Sequence, residues 1–254
     1  MRTWRLALAG LMTAGLVGAQ AGTGMGADPV AEPGEPATFM FVGNSLTYWG
    51  DGVPQEFERI VESDTLAAEP TITTVGFGGT ILRSFLDMTA FRLTQRDYDV
   101  VVLQDDPPEY QGRDLALFME TARLFDEAIA DESIRTVYYM TWPYAPLDWV
   151  SLEDIVALHR EAEAELGVSI APVGLVFARV EAEFPELLTL TGDDGGHPSR
   201  LGTYLAAATI YATIFDRSPD GLYYPEYVMT EDVAADLHRI VWETVEGWQA
   251  EGAE

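Results

Sequence analysis

The chain has 254 residues, 48% of them hydrophobic, and no cysteine. It is long enough for one sizeable α/β domain, and it can hold no disulfide framework, lipid-attachment thiol or cysteine-based metal site. Its formal charge of −28 excludes nucleic acid and anionic membrane surfaces as partners, because both would repel it.

In chain order, residues 1–21 read as a secretory leader. Arg2 and Arg5 give a basic start, Leu6–Val17 a short apolar core, and Ala19-Gln20-Ala21 a small-x-small cleavage site. The apolar core is shorter than the ~20 residues that span a bilayer, so the expectation is a secreted or periplasmic protein with no membrane attachment after cleavage. Losing Arg2 and Arg5 with the leader would take the charge from −28 to −30. The acids are scattered over the expected helix faces and do not gather at the motifs. This favours a solvated acidic surface suited to a saline setting over a site for a cationic substrate. Residues 22–36, rich in Gly, Ala, Pro and Glu, read as a flexible linker, and residues 37–250 as the folded domain.

The domain opens with Ala37–Thr47, ATFMFVGNSLT. Thr38–Val42 is the apolar run of a fully buried parallel strand, and it breaks into the turn Gly43-Asn44-Ser45. Helical spacing over Gln55–Ala67 places Phe57, Ile60, Val61 and Leu66 on one face. A second strand, Thr71–Val75, runs into Gly76-Phe77-Gly78-Gly79-Thr80 and a helix from Ile81. Asp99–Gln104 is a third strand, and Asp105-Asp106-Pro107-Pro108 must be loop. Leu115–Ala130 is helical, Thr136–Thr141 a fourth strand closed by Trp142-Pro143, and Ser151–Leu166 helical again. Ser169–Val173 is a fifth strand, followed by helices over Leu175–Phe184, over Ser199–Phe215, and from Thr230 as N-cap to Trp248. His159 and His238 fall in charged helices and read as surface residues. Such alternation argues a flavodoxin-like doubly wound sheet of about five parallel strands with helices on both faces.

The chemistry-bearing residues fall at one edge of that sheet. Ser45 follows the first strand, Gly78 the second, Gln104 the third and Trp142 the fourth, while Asp194-Gly195-Gly196-His197-Pro198 lies beyond the fifth. In open α/β sheets the carboxyl edge is where ligands bind. A serine hydroxyl needs a neighbouring base to take its proton during attack, and an imidazole titrating near neutrality can take it and return it to a leaving alcohol. Asp194, three residues before His197, can fix the imidazole tautomer, and Asp193 is the alternative carboxylate. No cysteine- or histidine-rich metal spacing occurs, and paired carboxylates for glycoside chemistry cannot be singled out among 42 acids. Gly76-Phe77-Gly78 lacks the third glycine of a dinucleotide motif, since position 81 is Ile.

Gly43-Asn44-Ser45-Leu46 resembles the first block of the SGNH (GDSL-like) hydrolases, with Asn in place of the usual Asp. Gly78-Gly79-Thr80 resembles their second block, and Asp194–Pro198 their last. The resemblance runs from about Phe39 to Phe215. Where the family's third block has Gly-x-Asn-Asp, this chain has Leu103-Gln104-Asp105-Asp106. The branch related to sialate O-acetylesterases carries Gln at a comparable strand end. The resemblance therefore implies a three-layer α/β sandwich and a cofactor-free serine esterase with Ser45, His197 and Asp194 as catalytic residues. It implies an oxyanion hole from the Ser45 and Gly78 N–H groups and the Gln104 amide, Gln104 being otherwise a cap on the third strand. Small acyl esters, O-acetyl groups on carbohydrate among them, are the implied substrates. Asn44 and Trp142 are candidate pocket residues, Trp142 being equally placed for the core. Two other readings stay open on the sequence: a non-catalytic carbohydrate-binding protein on the same scaffold, and a flavodoxin-like binder using Gly43–Thr47 as a phosphate loop.

Overall fold

The computed structural model describes residues 35–105, 113–131, 133–144, 147, 149–185, 187 and 191–252. The expected leader and most of the expected linker lie outside the described residues, as does the Asp106-Pro107-Pro108 loop. The last linker acid, Glu35, is described and pairs with Arg217 at 2.9 Å.

Five parallel strands form one sheet in the order β2-β1-β3-β4-β5, where β1 is Thr38–Val42, β2 Thr71–Val75, β3 Val100–Gln104, β4 Arg135–Tyr139 and β5 Ser169–Ala171. The fold class expected from the alternating pattern is the one observed. β1 has β2 on one side and β3 on the other, so the winding reverses between β1 and β3. That reversal opens a crevice at their carboxyl ends, where Val42 is paired with Leu103.

Side chains alternate across the sheet with period two and fill two cores. Phe39, Phe41, Val100, Val102, Val137 and Tyr139 face one layer of helices, made of α2 (Val53–Ser63), α6 (Val173–Glu183), α7 (Arg200–Phe215) and α8 (Glu231–Gly252). Met40, Val42, Val101, Leu103 and Tyr138 face the other, made chiefly of α3 (Leu86–Leu93), α4 (Ala116–Ile129) and α5 (Leu152–Leu166). Helix α7 is apolar on all sides, and every residue from Leu201 to Phe215 is buried. A helix of that kind can only sit in the interior. Its amino end is fixed by Ser199, whose hydroxyl accepts the Gly202 N–H at 3.1 Å.

Several local expectations need correction. Helix α2 stops at Ser63, where the Asp64 N–H closes onto the Val61 carbonyl, so Leu66 lies beyond the helix and is 51% exposed. The fifth strand ends at Ala171, and Val173 already begins α6. The stretch after Ile81 starts as a 3₁₀ turn, Leu82–Phe85, before α3. His159 and His238, expected at the surface, are both buried. His159 donates its Nδ1–H to the Ile155 carbonyl at 2.7 Å, one turn earlier on α5. The Tyr204 hydroxyl donates to the Tyr223 carbonyl, so its oxygen is left to accept the Nε2–H of His238 at 2.5 Å.

Burial holds the His238 imidazole down to about 4, against an ordinary value near 6.5, with the largely exposed Asp220 carboxylate opposing from 3.9 Å. The unfolded chain then binds a proton between pH 6.5 and 4 that the folded chain refuses. Stability is therefore fully present above pH 6.5 and falls as the pH drops toward 4, by about 3 kcal/mol for this group. Urea titrations at pH 7 and pH 4.5 should show the loss, and His238→Gln should remove most of this group's share. Equal pH dependence in variant and wild type would rule it out.

Candidate active site

The site is built from the carboxyl end of β1 upward. Gly43 donates its N–H to the Val75 carbonyl at 3.1 Å and ends the strand. Asn44 then caps α1 (Ser45–Tyr48), its side-chain oxygen accepting the Leu46 N–H at 3.0 Å. Ser45 becomes the first residue of a one-turn helix, partly exposed over the crevice. Glycine at 43 and 76 is a matter of space. A Cβ on Gly43 would meet Thr47 Oγ1 at 2.4 Å, and one on Gly76 would meet the Gly43 carbonyl oxygen at 1.9 Å. The Tyr48 hydroxyl ties the same corner together, donating to the carbonyls of Phe41 and Val75 at 2.8 and 3.2 Å.

Opposite Ser45, the Thr191–Pro198 segment closes on itself through a bridge between its two ends. His197 Nε2 lies 2.8 Å from Ser45 Oγ, and its Nδ1 lies 2.6 Å from Asp194 Oδ2. The other carboxyl oxygen of Asp194 accepts the N–H groups of Gly196 and His197 at 2.9 and 3.0 Å. The hydrogen bond from His197, reinforced by the Gly196 N–H, draws the Asp194 carboxyl down to about 2. Asp194 is therefore an anion across the working range of an imidazole, although its side chain is 47% exposed. Asp194, not Asp193, is the carboxylate on the ring.

The structure separates the remaining expected residues. Gly78 stands beside Ser45, where a Cβ would fall 3.7 Å from Ser45 Cβ. Ser45 begins a helix, where backbone N–H groups have no partner within the helix. Gln104 does not belong with them. Its Oε1 accepts the Asn44 N–H at 2.9 Å and the Thr47 hydroxyl at 3.0 Å, and its Nε2 donates to the Asp105 carbonyl. A backbone N–H can only donate, so it is the amide oxygen that must face Asn44, and the amide NH₂ is turned away. Gln104 is a clamp across the β1–β3 crevice, 1% exposed, and no oxyanion donor.

Asn44 is likewise buried as a cap and does not line a substrate pocket. Trp142 packs on Phe177 with ring centroids 4.4 Å apart, and it also borders a cavity of about 230 Å³ beside Tyr144 and Gly195. The phosphate-loop reading fails on donors. The N–H groups of Asn44, Leu46 and Thr47 already serve Gln104 Oε1, Asn44 Oδ1 and the Asn44 carbonyl.

Two features escaped the sequence. Trp49 stacks on the His197 ring, with centroids 4.1 Å apart and planes 18° apart. Beneath Gln104, buried Asp105 accepts the Thr141 N–H at 2.9 Å and faces His159 Nε2 at 3.8 Å. Burial raises the Asp105 carboxyl and lowers the His159 imidazole, so both sides of this pair favour their neutral forms. A larger cavity, about 570 Å³, lies at the amino ends of β4 and β5 and touches none of the residues around Ser45. Among the described residues no group of His, Asp or Glu is arranged to hold a metal ion.

The parallel order β2-β1-β3-β4-β5 with helices on both faces matches the α/β fold of the SGNH, or GDSL-like, hydrolases. A candidate SGNH hydrolase from Slackia heliotrinireducens superposes with a TM-score of 0.58 at 23% identity, over 71% of this chain and 100% of that one. A lipase/acylhydrolase from Enterococcus faecalis gives 0.57 at 16% identity, over 71% and 96%. The acetyl xylan esterase AlAXEase gives 0.55 at 14%, over 69% and 98%. These are likenesses of fold. No protein-family model matches the chain. Human protocadherin alpha-1 is 32% identical over 127 residues, a match that spans 46% of this chain and only 13% of the protocadherin.

Proposed function

We propose that the protein is an exported serine ester hydrolase that cleaves small acyl esters, O-acetyl groups on carbohydrate in particular, through an acyl-enzyme. The observation that carries this reading is the unbroken chain Ser45 Oγ–His197 Nε2 at 2.8 Å and His197 Nδ1–Asp194 Oδ2 at 2.6 Å. A non-catalytic carbohydrate-binding protein would have no need of that alignment. His197 takes the Ser45 proton as Oγ bonds to the acyl carbon. The tetrahedral oxyanion is received by the Ser45 and Gly78 N–H groups, and Asp194 stabilises the imidazolium. When the bond from acyl carbon to ester oxygen breaks, His197 returns the proton to the departing alcohol. Water, activated by the same imidazole, then attacks the acyl-serine, whose acyl–Oγ bond breaks to release the acid and restore Ser45. The acetyl preference is supported by the resemblance to sugar acetylesterases and by the likeness in fold to an acetyl xylan esterase. Export is supported by the leader-like composition of residues 1–21.

The test is hydrolysis of a 4-nitrophenyl ester series from acetate to octanoate. Acetate should give the highest kcat/KM, and the activity should survive prolonged chelation, since no bound metal takes part in these steps. A protein inert to every member of the series rules the reading out.

A further inference from the structure

The Trp49 indole stacks on the His197 imidazole, with ring centroids 4.1 Å apart and planes 18° apart. Trp49 closes the one-turn helix α1 that Ser45 begins. Its N–H donates to the Ser45 carbonyl at 2.8 Å, and its own carbonyl accepts the Gly52 N–H at 3.1 Å. One turn of backbone therefore carries the serine hydroxyl at its start and an aromatic face for the imidazole at its end. The indole belongs to neither hydrophobic core and is half exposed, so packing of the fold does not account for its place.

The restraints on the imidazole differ in what they hold it to. Asp194 lies in the same Thr191–Pro198 segment as His197, so its bond to Nδ1 fixes the ring relative to that segment and not to Ser45. The Nε2–Oγ bond and the Trp49 stack join the segment to α1. On the esterase reading above, on which this inference rests, the first of these is lost in every turnover. Once the acyl carbon is bonded to Oγ, Ser45 has no hydroxyl proton to share with Nε2. The stack needs no proton and survives. It also strengthens when the ring becomes charged, because an indole face attracts a cation.

We propose that Trp49 is a positioning residue that holds the His197 ring over Ser45 while the acyl group is attached, and that it serves deacylation more than acylation. In deacylation His197 takes a proton from water as the water oxygen bonds to the acyl carbon. The acyl–Oγ bond then breaks, and the proton passes from His197 to Oγ. The ring must keep its register with Ser45 through both transfers, and the indole supplies that register.

Stopped-flow hydrolysis of 4-nitrophenyl acetate separates the half-reactions. The burst of 4-nitrophenolate reports acylation, and the steady rate that follows reports release of acetate. Trp49→Leu keeps apolar bulk without an aromatic face. It should lower the steady rate by about tenfold, the scale of one partly screened cation–π contact, and the burst rate by about threefold at most. Trp49→Phe restores a flat ring and should keep both rates within about threefold of wild type. Acid-quenched Trp49→Leu should hold at least as much acetyl-Ser45 at steady state as wild type, measured by mass spectrometry. Trp49→Ala serves if the leucine variant does not fold. Equal losses in the two phases, a leucine variant as fast as the phenylalanine one, or less acetyl-Ser45 than in wild type overturns the proposal. Wild-type protein inert to the ester removes the esterase reading and this inference with it. An active wild type with unmoved variants removes this inference alone.

Discussion

Ser45→Ala should lower kcat for ester hydrolysis by roughly 10⁵-fold or more, with the melting temperature unchanged. The hydroxyl makes one side-chain hydrogen bond among the described residues, to His197, and the turn that carries it is held by Asn44, Gln104 and Tyr48. Alanine therefore removes the attacking oxygen and leaves the scaffold standing. His197→Ala should fall as far, because an unassisted serine hydroxyl is a poor nucleophile. The double variant should lose little more than either single one, since the two side chains act as a unit. Single-turnover kinetics on the three variants beside calorimetry is the measurement. A Ser45→Ala protein that keeps wild-type turnover ends the serine-esterase assignment.

Gln104→Ala should cost about 2–4 kcal/mol of stability as well as activity, because it strands two buried donors, the Asn44 N–H and the Thr47 hydroxyl. The turn carrying Ser45 then loosens, and kcat should drop by about 10–100-fold as the nucleophile leaves its reactive geometry. Gln104→Glu keeps an oxygen for Asn44 and Thr47, yet it turns a second oxygen toward the Asp105 carbonyl, where the amide now donates. It should therefore be destabilised as much as the alanine variant. An oxyanion donor would behave otherwise, with kcat falling at constant stability. A Gln104→Ala protein with the wild-type melting temperature and reduced kcat would restore that role and reject the clamp.

The strands were legible because buried parallel strands are written as unbroken apolar runs, and Val100–Leu103 leaves no other reading. The aligned Ser45, His197 and Asp194 were legible because a serine turn after the first strand and Asp-x-x-His before an apolar helix keep their spacing in one dimension. Gln104 was placed at the correct edge with the wrong task. An amide both donates and accepts, and only its neighbours in space decide which end faces the nucleophile. The two buried histidines misled for another reason. Ile155, His159 and Ala162 share one face of α5, and Ala234, His238, Val241 and Val245 share one of α8, but the charged residues between them masked the period. Trp49 had no periodic signal at all, since its role depends on a loop that arrives from the far end of the chain.

That arrival has a consequence for how the protein becomes active. Ser45 and His197 are 152 residues apart in sequence, with the four strands β2 to β5 and the helices α2 to α6 between them. The pair meets in a fold where β1 is flanked by β2 and β3 and α7 packs against the sheet. Closing a loop of that length is entropically slow and draws no reward until the intervening layers are packed. On the esterase reading proposed above, turnover should report that long-range closure. A chain with every strand paired but α7 undocked would have its secondary structure without the Ser45–His197 contact.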